Sequence, residues 1–153
     1  MRFDLPSYQA CSFCDDLSGR RDCTFIIQGE LAVALVDFRQ YERGAMLVIP
    51  RSHRESILDI TDEELDAVYR LARWVGKAAA GAFGATGVNI YQNNGTSAGQ
   101  HEPHFHVHVV PRYATSDPKR RFLQQDYPVV SPEEQRAIAG AVRAFLESAA
   151  NPP

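Results

Sequence analysis

The segment His104-Phe105-His106-Val107-His108-Val109-Val110 constrains the fold of this chain more than any other. Its polar and apolar residues alternate with a period of two, which predicts a strand over 105–110. His104, His106 and His108 then share one face of a sheet, and Phe105, Val107 and Val109 form an apolar stripe on the other, suited to burial. Four of the five histidines lie between His101 and His108. Three imidazoles on one face, beside the loop Asn93-Asn94-Gly95-Thr96-Ser97-Ala98-Gly99-Gln100, make a site for either a metal or a phosphate. Three unconnected core histidines would each need a separate hydrogen-bond partner, because buried polar groups are rarely left unpaired.

The remaining patterns place that strand in an α+β chain. Short β-rich runs cover 24–27, 31–38 and 45–49, the last stopped by Pro50. Gly29-Glu30 between the first two reads as a tight turn, which makes a hairpin. Thr61 with Glu64 three residues on is a capping box, and Asp62, Glu63 and Glu64 suit the positive end of a helix. Leu65, Val68, Tyr69, Ala72, Val75 and Ala79 give that long helix one apolar face, a core surface or in part a subunit interface, until Gly81, Gly84 and Gly87 end it. A further strand covers 88–92. The last helix starts at Ser131-Pro132, with Ser131 as its cap, and turns Ile138, Ala141, Val142, Phe145 and Leu146 toward another element. Lys119-Arg120-Arg121 reads as a solvated loop, and Asn151-Pro152-Pro153 is expected to fray.

Length and composition set the outer bounds. A chain of 153 residues predicts a single domain over 1–153, with roughly 114–153 as a C-terminal extension carrying one helix. A hydrophobic fraction of 44% with 23% charged residues excludes collagen-like, disordered and coiled-coil chains. The net charge of −3 lacks the basic field of a protein that wraps nucleic acid. No apolar run is long enough to cross a bilayer, and the first residues are no secretory signal. Of three cysteines, Cys11 and Cys14 form C-x-x-C, which suits thiolate chemistry in a reducing compartment, so the cytoplasm is expected.

The run from His104 to Val110 resembles the histidine triad (HIT) signature of nucleotide hydrolases and transferases. Cys11-Ser12-Phe13-Cys14 is similar to the N-terminal C-x-F-C of bacterial members, and Leu47-Val48-Ile49-Pro50-Arg51-Ser52-His53 to the family's L-V-I-P-[KR]-x-H. The stretch from Asn93 to Arg112 is similar to its N-x-G-x-x-A-G-Q…H-x-H-x-H-x-x-P-R. The resemblance implies an antiparallel sheet with one long helix after the third strand and a C-terminal helix. It also implies a homodimer, and no catalytic cofactor, nucleic-acid polymer or membrane partner is expected.

Site roles follow from the resemblance residue by residue. His106 is the nucleophile that attacks the α-phosphorus of a nucleotide conjugate, of the adenosine phosphoramidate or dinucleoside polyphosphate type, to form a nucleotidyl-histidine. His108 contacts the α-phosphate and helps protonate the departing group. Gln100 and the amides around Gly99 and His101 meet phosphate oxygens, as amide nests do generally. Asn93 matches the Asn at the mouth of that loop, its other reading being a turn residue. Asp37 matches a carboxylate held against ribose hydroxyls, although an Asp at a strand end is by itself a turn or cap residue.

The chain departs from the family pattern twice. Ala45 stands where many members carry a histidine that supports the triad, and His101 stands where Ser or Thr is common. The His101 imidazole serves as an acid, as a third phosphate donor, or is simply exposed.

Cys11 and Cys14 offer two thiolates to one ion, half of a tetrahedral zinc site. The resemblance supplies His53 and His104 as the other two ligands, which makes the metal structural. Two other readings stand beside the enzyme: a nucleotide-binding module with little turnover, and a metal-dependent hydrolase using His104, His106 and His108 together.

Overall fold

Phe105, Val107 and Val109 are wholly buried, and the protein is layered around them. A computed structural model describes residues 2–7, 10–117 and 127–149. Its five strands are β1 (Phe25–Gln28), β2 (Ala32–Val36), β3 (Met46–Pro50), β4 (Gly87–Tyr91) and β5 (Val107–Arg112). They form one sheet in the order β1-β2-β3-β5-β4, antiparallel at every pairing. The first hairpin turns at Gly29, whose N–H donates to the carbonyl of Ala32.

Three helices complete the architecture: α1 (Ser12–Leu17), α2 (Asp62–Phe83) and α3 (Pro132–Ser148). The capping box at Thr61 forms in full, and Ser131 caps α3 with Pro132 in its first turn. Val68, Ala72, Val75 and Ala79 of α2 and Ile138, Val142 and Leu146 of α3 bury one face of the sheet through Val36, Met46, Val48, Val107 and Val109. The opposite face carries Val33, Leu35, Leu47 and Ile49 under Phe13 of α1. The histidines lie on this second face, away from the long helices.

Four details differ from the sequence expectations. Strand β5 begins at Val107 rather than at 105, because the Phe105 N–H donates to the carbonyl of Arg54 and the β3–β5 register stops at Val48 opposite Val107. His104 and His106 therefore stand in the segment leading into β5 rather than in the paired strand. Helix α2 runs through Gly81 and ends at Gly84, whose φ of 67° is the left-handed conformation that glycine adopts without strain. Gly81 is small because the Phe145 ring of α3 occupies the space a side chain would need. Tyr69, expected on the buried face of α2, is 43% exposed. Helix α1 has no counterpart among the elements expected from the sequence. Lys119-Arg120-Arg121 and Asn151-Pro152-Pro153 lie outside the described residues.

Candidate active site

His106 is fixed by its own chain. Its Nδ1–H donates to the carbonyl of His104 at 2.7 Å, a bond that only the Nδ1–H tautomer makes. Nε2 then carries the lone pair, and the ring lines a cavity of about 560 Å³. Burial, reinforced by the neighbouring His108, pushes His106 down to about 3, so the imidazole is neutral at physiological pH. Phe13 packs against it, ring centres 5.3 Å apart, and against His104 at 5.7 Å. A neutral, oriented, partly desolvated imidazole is a nucleophile.

His108 stands on the same face one pleat further on. It lies directly opposite Tyr91 in the β4–β5 ladder. The two rings stack at 4.5 Å and 4°, and Tyr41 presents an edge at 5.7 Å. Burial pushes the Tyr41 hydroxyl up to about 12, which keeps it a neutral hydrogen-bonding group. Asp37, just past β2, is 4% exposed. Its Oδ1 accepts the Arg39 N–H at 3.0 Å, the turn role of an Asp at a strand end. Its Oδ2 lies 3.7 Å from His108 Nδ1.

The glycine-rich loop closes the other side of the cavity. Asn93 donates to the carbonyl of Gly99 at 3.3 Å, and Asn93, Gly99 and His101 all line the cavity. Gln100 is 2% exposed. Its amide donates to the carbonyls of Glu55 and Glu102 and accepts from Gly95 N–H at 2.7 Å. Both N–H donors of Gln100 are thus used to shape the loop, and none is left for a phosphate oxygen. The Gly99 and Gln100 backbone N–H groups are likewise held by the carbonyls of Thr96 and Gly95. The His101 N–H has no protein acceptor among the described residues, and its imidazole is exposed.

Cys11, Cys14, His53 and His104 come together on the far side of His106, with their ligand atoms all within 4.8 Å of one another. Cys11 caps α1 and Cys14 sits in its first turn, so both thiols point the same way. Sulfur–nitrogen separations are 3.3 Å for Cys11 to His104, 3.3 Å for Cys14 to His53 and 3.7 Å for Cys14 to His104. A zinc tetrahedron with thiolate and imidazole ligands has S–N edges of roughly 3.5 Å. His104 Nε2–H donates to the carbonyl of Pro50 at 3.1 Å, which leaves Nδ1 with its lone pair toward the thiols. Donor types, spacing and tautomer all fit zinc. Among the described residues this is the one group of three or more whose ligand atoms converge. His104, His106 and His108 do not converge as a three-histidine site.

The family model for the HIT domain matches residues 18–115. This chain belongs to the HIT family. Protein hit of Bacillus subtilis is 29% identical over 138 residues, covering 90% of this chain and 95% of the relative. The HIT relative from Schizosaccharomyces pombe described as an adenosine 5'-monophosphoramidase is 30% identical over 141 residues, covering 90% and 99%. A zinc-bound histidine triad family protein from Mycobacterium smegmatis superposes with a TM-score of 0.76 at 30% identity, covering 91% of this chain and 96% of that one. The Schizosaccharomyces pombe relative places nucleotide phosphoramidate hydrolysis within the family.

Some cavity residues escape the sequence motifs. Val129, Pro132 and Gln135 line it from beyond the matched HIT region. The segment before α3 is held by Val130 N–H on the Phe38 carbonyl and by Gln40 N–H on the Pro128 carbonyl. Asp16, 1% exposed, holds Arg21 at the cavity wall through two bonds of 2.6 Å. Tyr91 falls in a predicted strand, and Pro132 and Gln135 in the predicted last helix, with no sign there of a place in the cavity wall.

Proposed function

We propose that this HIT protein is a nucleotidyl hydrolase or transferase in which Nε2 of His106 attacks the α-phosphorus of a nucleotide conjugate. The observation that carries the reading is the His106 Nδ1–H bond to the His104 carbonyl, which leaves the Nε2 lone pair for the cavity. A bond forms from Nε2 to phosphorus as the bond to the leaving group breaks. His108 Nε2–H supplies the proton to the departing nitrogen or oxygen. Water then attacks the nucleotidyl-histidine, its proton returns to His108, and the nucleoside monophosphate leaves. The substrate class is adenosine phosphoramidates, in line with the Schizosaccharomyces pombe relative, and dinucleoside polyphosphates.

In this reading His101, through its backbone N–H, and Asn93 meet the phosphate. Gly99 and Gln100 keep the loop in shape for it, and Asp37 borders the ribose side. Cys11, Cys14, His53 and His104 hold a structural zinc, which ties α1 to the lead-in of β5 and takes no part in the chemistry. The reading includes a single domain over 1–153, a homodimer and a cytoplasmic setting. Tyr69 on α2 and Ile90 on the edge strand β4, 43% and 45% exposed, offer apolar surface to a second subunit. No helix of the described residues is long and apolar enough to cross a membrane.

The test is a screen of nucleoside phosphoramidates and dinucleoside polyphosphates with the natural chain and His106→Asn. Loss of a covalent nucleophile costs about a thousandfold or more, roughly 4 kcal/mol of transition-state stabilisation. Turnover abolished with nucleotide affinity kept supports the reading. Binding without turnover in the natural chain identifies a nucleotide-binding module instead.

A further inference from the structure

Among the described residues, one buried side-chain nitrogen lacks a hydrogen bond: Nδ1 of His108. The ring cannot turn to find a partner, because Tyr91 stacks on it and Tyr41 and His106 present edges to it. A buried imidazole nitrogen without a partner is costly, and the surroundings of this one are specific. Leu35, Leu47 and His108 form one cross-strand row. Asp37, two residues beyond Leu35, therefore rises on the same face as His108. Ala45 pairs with Asp37 across the sheet through the Asp37 N–H and brings only a methyl group. The Asp37 carboxylate lies 3.7 Å from Nδ1, with side chains 10% and 6% exposed for His108 and Asp37. That distance is about 0.9 Å longer than a charge-assisted hydrogen bond.

We propose that Asp37 is the positioning residue of His108. Its Oδ1 is anchored by the Arg39 N–H, and its Oδ2 accepts the His108 Nδ1–H as the cavity fills. The proposal rests on the preceding functional reading and adds to it the group that orients the acid. With Nδ1–H held by the carboxylate, the imidazolium is stabilised and its second proton sits on Nε2. As the P–X bond breaks, that proton passes from Nε2 to X, the electron pair of the bond stays on X, and His108 is left neutral with Nδ1–H on Asp37. The same Nε2 then takes the proton of the attacking water. Of the groups that face His108 (Asp37, Tyr41, Tyr91 and His106), Asp37 is the one with a carboxyl group.

Asp37→Asn in the full chain tests this with two adenylyl substrates, one with an alkylamine leaving group and one with a nitrophenolate. The amine must be protonated to leave, and nitrophenolate leaves as the anion. Expected is a loss of about 10- to 100-fold in the single-turnover rate of adenylyl transfer to His106 for the amine and less than about threefold in that rate for the nitrophenyl ester, the later water step being common to both. His108→Asn shows the same pattern, and the double variant loses little more than either single one, as expected for residues acting as a unit. An equal loss on both substrates, or a loss confined to KM as from a ribose contact alone, overturns the proposal. A readout independent of turnover is the nitrogen-15 spectrum of the histidines. With adenosine monophosphate filling the cavity, it shows the neutral His108 proton on Nδ1 in the natural chain and redistributed in Asp37→Asn. A proton on Nε2 in the natural chain overturns the pairing. If no substrate turns over, the functional reading has failed while the spectrum still decides the pairing.

Discussion

Tyr91 and His108 face each other across β4 and β5, with rings 4.5 Å apart and 4° from parallel. The stack joins the edge strand to the residue proposed as the acid, so the tyrosine ring holds the imidazole plane. Tyr91→Phe is expected to keep kcat within about threefold, and Tyr91→Ala to lower it about tenfold as His108 gains freedom, a small misplacement being enough for such a loss. Steady-state kinetics on the two variants checks this. Equal losses would assign the effect to the hydroxyl.

The cluster of Cys11, Cys14, His53 and His104 predicts about one zinc per chain, the content of a single tetrahedral site, in protein purified without chelator. Replacing Cys11 and Cys14 by Ser is expected to remove the metal and lower Tm while much of the turnover survives. Elemental analysis and thermal denaturation check it. Zinc retained at full stoichiometry in the double variant would contradict the assignment.

Glu64 gives the acid limb of stability. The Arg54 guanidinium, helped by the Thr61 cap and opposed by burial, lowers this carboxyl from 4.5 to about 2. A folded-state value below the unfolded one means the stabilisation is fully present above pH 4.5 and is lost as pH falls toward 2. Glu64→Gln keeps the cap and removes the charge. Its Tm deficit is expected to be largest above about pH 5 and to shrink steadily toward pH 2. A deficit independent of pH would show that the ion pair with Arg54 is not its origin.

Gly81 sets two effects against each other. Alanine at an exposed helix position gains about 1 kcal/mol over glycine, while forcing a methyl into the Phe145 ring costs about 1–3 kcal/mol. Because three ring atoms of Phe145 crowd the position, overpacking wins, and Gly81→Ala is expected to destabilise. Denaturant titration checks the sign, and a stabilised variant would show that α3 yields freely.

The sheet face that carries the site was legible because alternation is a local signal. His104, His106 and His108 do share a side, and Thr61 with Glu64 does cap α2. What escaped depends on residues far apart in sequence. Strand β5 starts late because Arg54, not β3, takes the Phe105 N–H. Gln100 turns inward because Gly95, Glu55 and Glu102 saturate it. Helix α1 is six residues long with Cys11 as its cap, too short for a periodicity to register. The wall contributed by Val129, Pro132 and Gln135 forms only when α3 docks, and no local pattern announces that.

The central claim is a covalent bond at His106. Intact-mass analysis of protein mixed with adenosine phosphoramidate and quenched in the first turnover measures it directly, followed by peptide mapping. The account predicts a transient adenylyl adduct on the peptide carrying His106, absent from His106→Asn. Turnover with no adduct at any quench time, or an adduct that persists in His106→Asn, would contradict it.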